Sequence, residues 1–123
     1  MKYGVIHYNA PGATLEEFLD WVAESGFDCT ELQCPDVWPK GCEKPEERAE
    51  EVAKMLEKRN LKASGVSLHN DFVVLAAEDV EYQVARAKRF AKVIQIIGCD
   101  TLRTEGGQPK DSVPMDRWAE AMA

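Results

Sequence analysis

Two kinds of hydrophobic pattern alternate along this chain: short apolar segments, and longer segments in which apolar and polar positions follow the period of a helix. Short apolar segments followed by turn residues predict strands, and longer segments with apolar positions at i, i+3, i+4 and i+7 predict amphipathic helices. The first helix is the clearest example, since Thr14 and Glu17 form a capping box at its start and Gly26 suits its C-terminal cap. Its apolar stripe consists of Leu15, Phe18, Leu19 and Val22.

The same signals predict the other elements. They are strands over 3–7, 29–33, 63–69 and from 100 or 101 to 104, and helices over 45–59 and 78–97, with a shaped loop over 34–44. Ser112 and Pro114 are typical of a helix start and predict that a fourth helix begins there.

Four short strands alternating with long helices predict repeated βαβ units, a parallel sheet and the α/β class. An eight-unit TIM barrel typically takes about 250 residues, so the 123 residues of this chain are enough for half of one. We interpret residues 1–123 as a single partial domain, the first half of such a barrel, and we expect it to stop within its fourth helix. A doubly wound sheet is the alternative. It is less favoured because there are only four strand signals and no glycine-rich phosphate fingerprint follows the first strand.

Composition narrows the classes of partner. Fifteen basic and 22 acidic side chains give a net charge of −7, and the basic residues alternate with glutamates, so we expect no nucleic-acid partner. Neither the apolar stretch of a signal peptide nor a run of about 18 apolar residues is present, so we expect a cytoplasmic protein without a membrane partner. The four cysteines include no Cys-x-x-Cys pair, and we expect them to be reduced.

Polar residues recur near the carboxyl end of every predicted strand, where barrel enzymes build their active sites. One strand register sends the following residues to a common face: His7, Glu31, Gln33, Ser67, His69, Arg103 and Glu105. The candidate substrate-binding residues are His7, Glu31, His69, Arg103 and Glu105, together with Trp38 in the following loop.

Structural roles remain open for several of these candidates. Glu31 and His69 can coordinate a divalent metal or hold sugar hydroxyls, and they are the pair that we favour as functional. His7 can instead be a hydrogen-bonded core histidine, Arg103 and Glu105 can form a structural ion pair, and Trp38 can serve loop packing instead of stacking on a sugar.

Several segments resemble the xylose isomerase-like barrel superfamily. They are 14–19 followed by 26–28, Glu31-Leu32, 63–69, and 87–98 followed by 99–103. The superfamily includes sugar phosphate isomerases and epimerases, inosose dehydratases and AP endonuclease family 2. Arg103-Thr104-Glu105 ends the fourth strand without the histidine that the endonuclease branch would place there, which disfavours a nuclease.

The resemblance implies a metal-dependent sugar or sugar phosphate isomerase or epimerase that moves a proton through an enediol or enediolate. It also implies a divalent metal (Mn, Mg, Co or Zn) and catalytic carboxylates on strands five to eight, so we expect the catalytic residues beyond Ala123 and an isolated chain that is inactive. One alternative is a half-barrel interaction module that pairs through its open edge with a second copy or with a missing C-terminal half. A further alternative is an inosose dehydratase-like lyase.

Overall fold

The computed structural model describes residues 1–122 and contains four strands and five α-helices, with at least one helix between successive strands. The strands are β1 Gly4–Ile6, β2 Cys29–Gln33, β3 Lys62–Leu68 and β4 Leu102–Thr104. The helices are α1 Leu15–Glu24, α2 Cys34–Val37, α3 Pro45–Lys58, α4 Ala77–Ile96 and α5 Trp118–Met122, the last preceded by a 3-10 turn over Met115–Arg117.

All strand pairs are parallel, and the sheet order is β1-β2-β3-β4. This sequential order confirms the first half of a TIM barrel, since a doubly wound sheet reverses its strand order at a switch point. Neighbouring long helices contact one another, α1 with α3 and α3 with α4, so they form one layer against one face of the sheet.

The core lies between that helical layer and the sheet, as the alternating pattern predicts. Leu32 of β2 and Leu68 of β3 are completely buried, and they pack in one cluster with the apolar stripes of the helices. The stripe residues in that cluster include Phe18, Leu19, Val22, Val52, Leu56, Phe90 and Val93. Burial of this many aliphatic and aromatic side chains is the main driving force for the half-barrel.

Two local predictions need correction. The loop over 34–44 contains a short helix, α2, which starts directly after β2 because the Asp36 carboxylate accepts a hydrogen bond from the Gln33 backbone N–H (2.8 Å) and Pro35 suits the first turn. The strand predicted over 3–7 is shorter, since β1 ends at Ile6 and His7 follows it.

The start of α1 provides a test of the local sequence signals. Thr14 Oγ1 accepts a hydrogen bond from the Glu17 backbone N–H (3.2 Å), and the Glu17 carboxylate accepts one from the Thr14 N–H (3.2 Å). We expect Thr14→Ala to lower the free energy of unfolding by about 1 kcal/mol, the usual cost of removing an N-cap. Urea denaturation followed by circular dichroism measures this loss. Glu24→Ala, at the exposed other end of α1, is the control and should change stability by less than about 0.5 kcal/mol; equal effects of the two substitutions would contradict the capping role.

Candidate functional site

The face of the sheet opposite the helices carries a row of polar side chains near the carboxyl ends of the strands. Gln33 of β2 lies beside Ser67 of β3, which in turn lies beside Arg103 of β4. Because side chains alternate between the faces of a strand, Glu31 shares this side with Gln33. We call these residues, together with His69 and Glu105, the polar face.

An ion pair crosses the polar face. Arg103 Nε donates a hydrogen bond to Glu31 Oε1 over 2.7 Å, although β2 and β4 are separated by β3. The residue of β3 that pairs with Glu31 is Gly65, so no side chain from the intervening strand obstructs the contact. Both side chains are partly exposed, and such pairs usually contribute at most about 1 kcal/mol to stability. The pair therefore contributes little to stability, and it orients the carboxylate and the guanidinium on this face.

His69 and Gln33 form a second contact on the same side. His69 Nε2 lies 2.9 Å from Gln33 Oε1, and the imidazole is exposed. Behind them, Gln33 Nε2 and Ser67 Oγ are buried and have no hydrogen-bond partner among residues 1–122. Buried polar atoms normally find a partner, so this part of the polar face has hydrogen-bonding capacity to spare.

Asn70 positions the segment that carries Glu105. Its side-chain amide donates to the Glu105 carbonyl, and its side-chain oxygen accepts from the Glu105 N–H over 3.0 Å. Asn70 is only 6% exposed, so these two hydrogen bonds are shielded from solvent. They connect the loop after β3 to the end of β4. Glu105 in turn lies 4.0 Å from Arg103, a looser ion pair than Arg103 makes with Glu31.

His7 occupies a different environment from the other candidates. Its ring stacks on Phe18 of α1 with centroids 4.1 Å apart, and its Nδ1 lies 2.8 Å from Asp36 Oδ1. These contacts fit the reading of His7 as a hydrogen-bonded core histidine, and they hold β1, α1 and α2 together.

Trp38 packs beneath the rim of the sheet, immediately after α2. Its indole N–H donates to the Cys42 carbonyl over 3.0 Å, its ring stacks near Phe90 with centroids 6.1 Å apart, and the Arg89 guanidinium lies 4.9 Å from its ring centroid. These contacts fit loop packing, and the remaining surface of the indole lines a cavity between α2 and α4.

The described residues do not provide a metal site by themselves. Within residues 1–122, no group of three or more His, Cys, Asp or Glu side chains is placed to hold an ion. Glu31 is engaged by Arg103, and His69 by Gln33, so the two favoured candidates are not gathered into one ligand set. These residues therefore do not form a divalent-metal site without ligands from outside residues 1–122.

The sequence analysis missed three residues that contact the candidates: Asp36 at His7, Asn70 at Glu105 and Arg86 at the His69 carbonyl. Asp36 carries a signal that was available, because Gln33 and Asp36 have the spacing of a capping box. Asn70 and Arg86 act through contacts with residues 35 and 17 positions away, and no local pattern predicts such contacts.

The fold and the polar face together define the class of protein: a half-barrel of the parallel β/α type whose strand ends carry polar groups. The family profile of the xylose isomerase-like TIM barrel matches residues 19–123. The chain belongs to this family, which confirms the resemblance seen in the sequence. Comparison with curated proteins gives no match.

Solved structures show the same fold. They include a xylose isomerase-like TIM barrel/4-hydroxyphenylpyruvate dioxygenase fusion protein (TM-score 0.73, 19% identity), aligned over 96% of this chain and 18% of its own. The probable 3-DHS dehydratase AsbF of Bacillus anthracis, involved in petrobactin synthesis, has a TM-score of 0.66 at 15% identity, with 99% and 44% covered. D-psicose 3-epimerase, solved in the presence of D-fructose, has a TM-score of 0.67 at 14% identity, with 99% and 46% covered.

This chain thus spans less than half the length of the solved chains that it matches. Sequence identities of this size establish a shared fold, but they do not establish a shared activity or substrate. Among the helices of residues 1–122, none has the length and apolar character needed to cross a membrane.

The Asn70 contacts generate a prediction. We expect Asn70→Ala to lower the free energy of unfolding by about 2 kcal/mol, because it leaves the N–H and carbonyl of Glu105 without their side-chain partner in a largely dry location. Urea denaturation of the variant measures the loss. Gln108→Ala, which removes an exposed side chain from the loop after β4, is the control and should be nearly neutral; a neutral Asn70→Ala would mean that the loop is held by other contacts.

Proposed function

We propose that this chain forms the N-terminal wall of the active site of a sugar isomerase or epimerase that moves a proton through an enediol or enediolate. The single observation that carries the proposal is the polar face, which gathers a carboxylate, a guanidinium, an imidazole and an amide at the carboxyl ends of three adjacent parallel strands. In barrels this edge holds the active site. Membership of a family whose structural neighbours include an epimerase adds support.

The role proposed for these residues is to bind and orient a polyhydroxylated substrate. The Glu31 carboxylate accepts hydrogen bonds from hydroxyl groups, and the Arg103 guanidinium donates to hydroxyl or carbonyl oxygens. The carboxylates that remove the proton next to the carbonyl and return it, to the same carbon or its neighbour, come from outside residues 1–122 in this proposal. The divalent metal (Mn, Mg, Co or Zn) would take its ligands from there as well.

Deuterium exchange tests the proposal. The gene product that carries this chain, purified at its natural length, is incubated in D₂O with Mn²⁺ and a panel of ketoses and ketose phosphates, and proton NMR follows the C–H group next to the carbonyl. We expect solvent deuterium to replace that proton. We expect Glu31→Gln to lower kcat/KM at least about tenfold, because the amide lacks the negative charge and one of the two acceptor oxygens of the carboxylate. Glu24→Gln, on the exposed end of α1, is the control and should stay within about twofold.

Two outcomes would contradict this proposal. One is robust turnover by the 123-residue chain as a monomer, since the proton-transferring groups would then lie within it. The other is a natural-length product that exchanges none of the panel. Loss of water from the substrate, seen by mass spectrometry, would instead favour a dehydratase, the activity named for the structural neighbour AsbF.

An interaction module is the second candidate function, and the sheet edges favour it. Within residues 1–122, β1 and β4 each pair with a strand on one side only, and unpaired strand edges invite association. In this candidate, two copies of the chain or the chain and a separate C-terminal half close one barrel.

Sedimentation distinguishes the module from an independent unit. If the chain must associate to cover its edges, analytical ultracentrifugation of the 123-residue chain should show a dimer whose thermal unfolding temperature rises with protein concentration. A monomer that unfolds cooperatively at one temperature across the concentration range would count against an obligate partner.

A further inference from the structure

A cavity of about 360 Å³ lies beside the polar face, between the segment that follows β2 and the first half of α4. The side chains that give it chemical character are Cys34, Trp38, Lys40, His69, Tyr82 and Arg86. Its lining includes two permanent cations and no aspartate or glutamate. In a chain with a net charge of −7, such a segregation of positive charge is a local feature of the structure and does not follow from the composition.

Arg86 differs from the other arginines in having no acidic partner. Within residues 1–122, each of the other five has a carboxylate oxygen 2.6–2.8 Å from a guanidinium nitrogen. Arg89, one turn along the same helix, illustrates the contrast, because its guanidinium lowers the pKa of Glu46 to about 2. The charge of Arg89 is therefore neutralised by Glu46, whereas the charge of Arg86 is not neutralised by an ion pair.

Neutral groups hold the Arg86 guanidinium in place. Its Nη1 donates to the His69 carbonyl over 2.6 Å, and its Nη2 donates to Cys34 Sγ over 3.3 Å. Burial raises the pKa of the Cys34 thiol, so at neutral pH this sulfur stays protonated and supplies no negative charge. A guanidinium carries five N–H donors, and the remaining donors of Arg86 are not used by any residue among 1–122.

The nearby carboxylate of Asp36 is already satisfied. One of its oxygens lies 2.8 Å from the His7 ring, and the other accepts from the Gln33 N–H over 2.8 Å. It is thus bound to the strand ends on its own side and is not among the residues that line the cavity.

We propose that this cavity binds an oxyanion of the substrate, a phosphate monoester or a carboxylate, through Arg86, with Lys40 and His69 beside it. A planar, fixed guanidinium with free donors suits a tetrahedral or planar oxyanion better than a mobile ammonium does. Arg86 is then the residue that selects a charged sugar derivative over a neutral sugar.

The inference rests on the proposed function, because His69 connects the two sites. Its imidazole lies against Gln33 on the polar face, while its carbonyl holds Arg86. A single substrate can therefore place its hydroxyl groups on the polar face and its anionic end in the cavity.

Binding of inorganic phosphate to the 123-residue chain tests the inference without requiring turnover. Uniformly ¹⁵N-labelled protein is titrated with phosphate and, in separate arms, with acetate and with D-fructose, while the Nε–H signal of Arg86 is followed by NMR. We expect saturable shifts with phosphate or acetate, the stronger of the two identifying the preferred oxyanion, and none at Arg86 with D-fructose. Arg86→Gln should weaken anion binding at least about tenfold, as loss of a charge-assisted pair would, whereas Lys88→Gln should leave it within about twofold, because Lys88 is an exposed cation of the same helix outside the cavity.

Circular dichroism establishes that each variant is folded. If Arg86→Gln does not fold, Lys40→Gln decides the matter, since Lys40 is exposed on the loop after α2 and should weaken phosphate binding severalfold. The inference is overturned if neither anion binds, or if a folded Arg86→Gln binds as tightly as the unmodified chain; where only Lys40→Gln folds, unchanged binding overturns it. A natural-length protein that exchanges neutral ketoses while the cavity binds no anion would overturn this inference and leave the proposed function standing.

Discussion

Parallel pairing of the four strands in sequential order is the constraint on which both candidate sites depend. It brings all four carboxyl ends to one edge, and it aligns Gln33, Ser67 and Arg103 as neighbours across three strands. Because side chains alternate between the two faces of a strand, one face of the sheet is apolar and the other is polar. Leu32 and Leu68 are buried under the helices, while their neighbours in sequence carry polar groups. A shift of one strand by a single residue would exchange those faces, so the core and the polar face are set by the same hydrogen-bond register.

Much of this arrangement could be predicted because its causes are local. The capping box at Thr14, the apolar stripes of the long helices and the turns after each strand lie within a few residues of the elements that they specify. The predicted bounds of β2 agree with the structure, and those of the three long helices agree to within about a turn. The short helix α2 was missed because Pro35 and the surrounding turn residues also suit a loop, and the contact that decides the matter is the carboxylate of Asp36 on the backbone of Gln33.

The partners of the polar residues could not be predicted in the same way. Arg103 and Glu105 are close in sequence and looked like a pair, yet the shorter contact of Arg103 is with Glu31, 72 residues away. That contact depends on β4 lying two strands from β2 and on Gly65 occupying the position between them, which are tertiary facts. The contacts of His7 could not be predicted from local sequence either, because its ring contacts Phe18 and Asp36 only when α1 and α2 are packed together.

The partner of each arginine determines whether its positive charge is left available to an anion. Arg59 and Arg89 each join two elements through an ion pair, with Asp20 and Glu46 respectively. The carboxylate neutralises the positive charge of the arginine in both pairs. Arg86 is held by hydrogen bonds to a carbonyl and a thiol, which position it without cancelling its charge. Holding an arginine with neutral groups preserves its attraction for an anion, and this arrangement occurs here beside the polar face. Fixed geometry, uncancelled charge and an adjoining cavity are the three physical requirements of an anion site, and in this fold they coincide at Arg86.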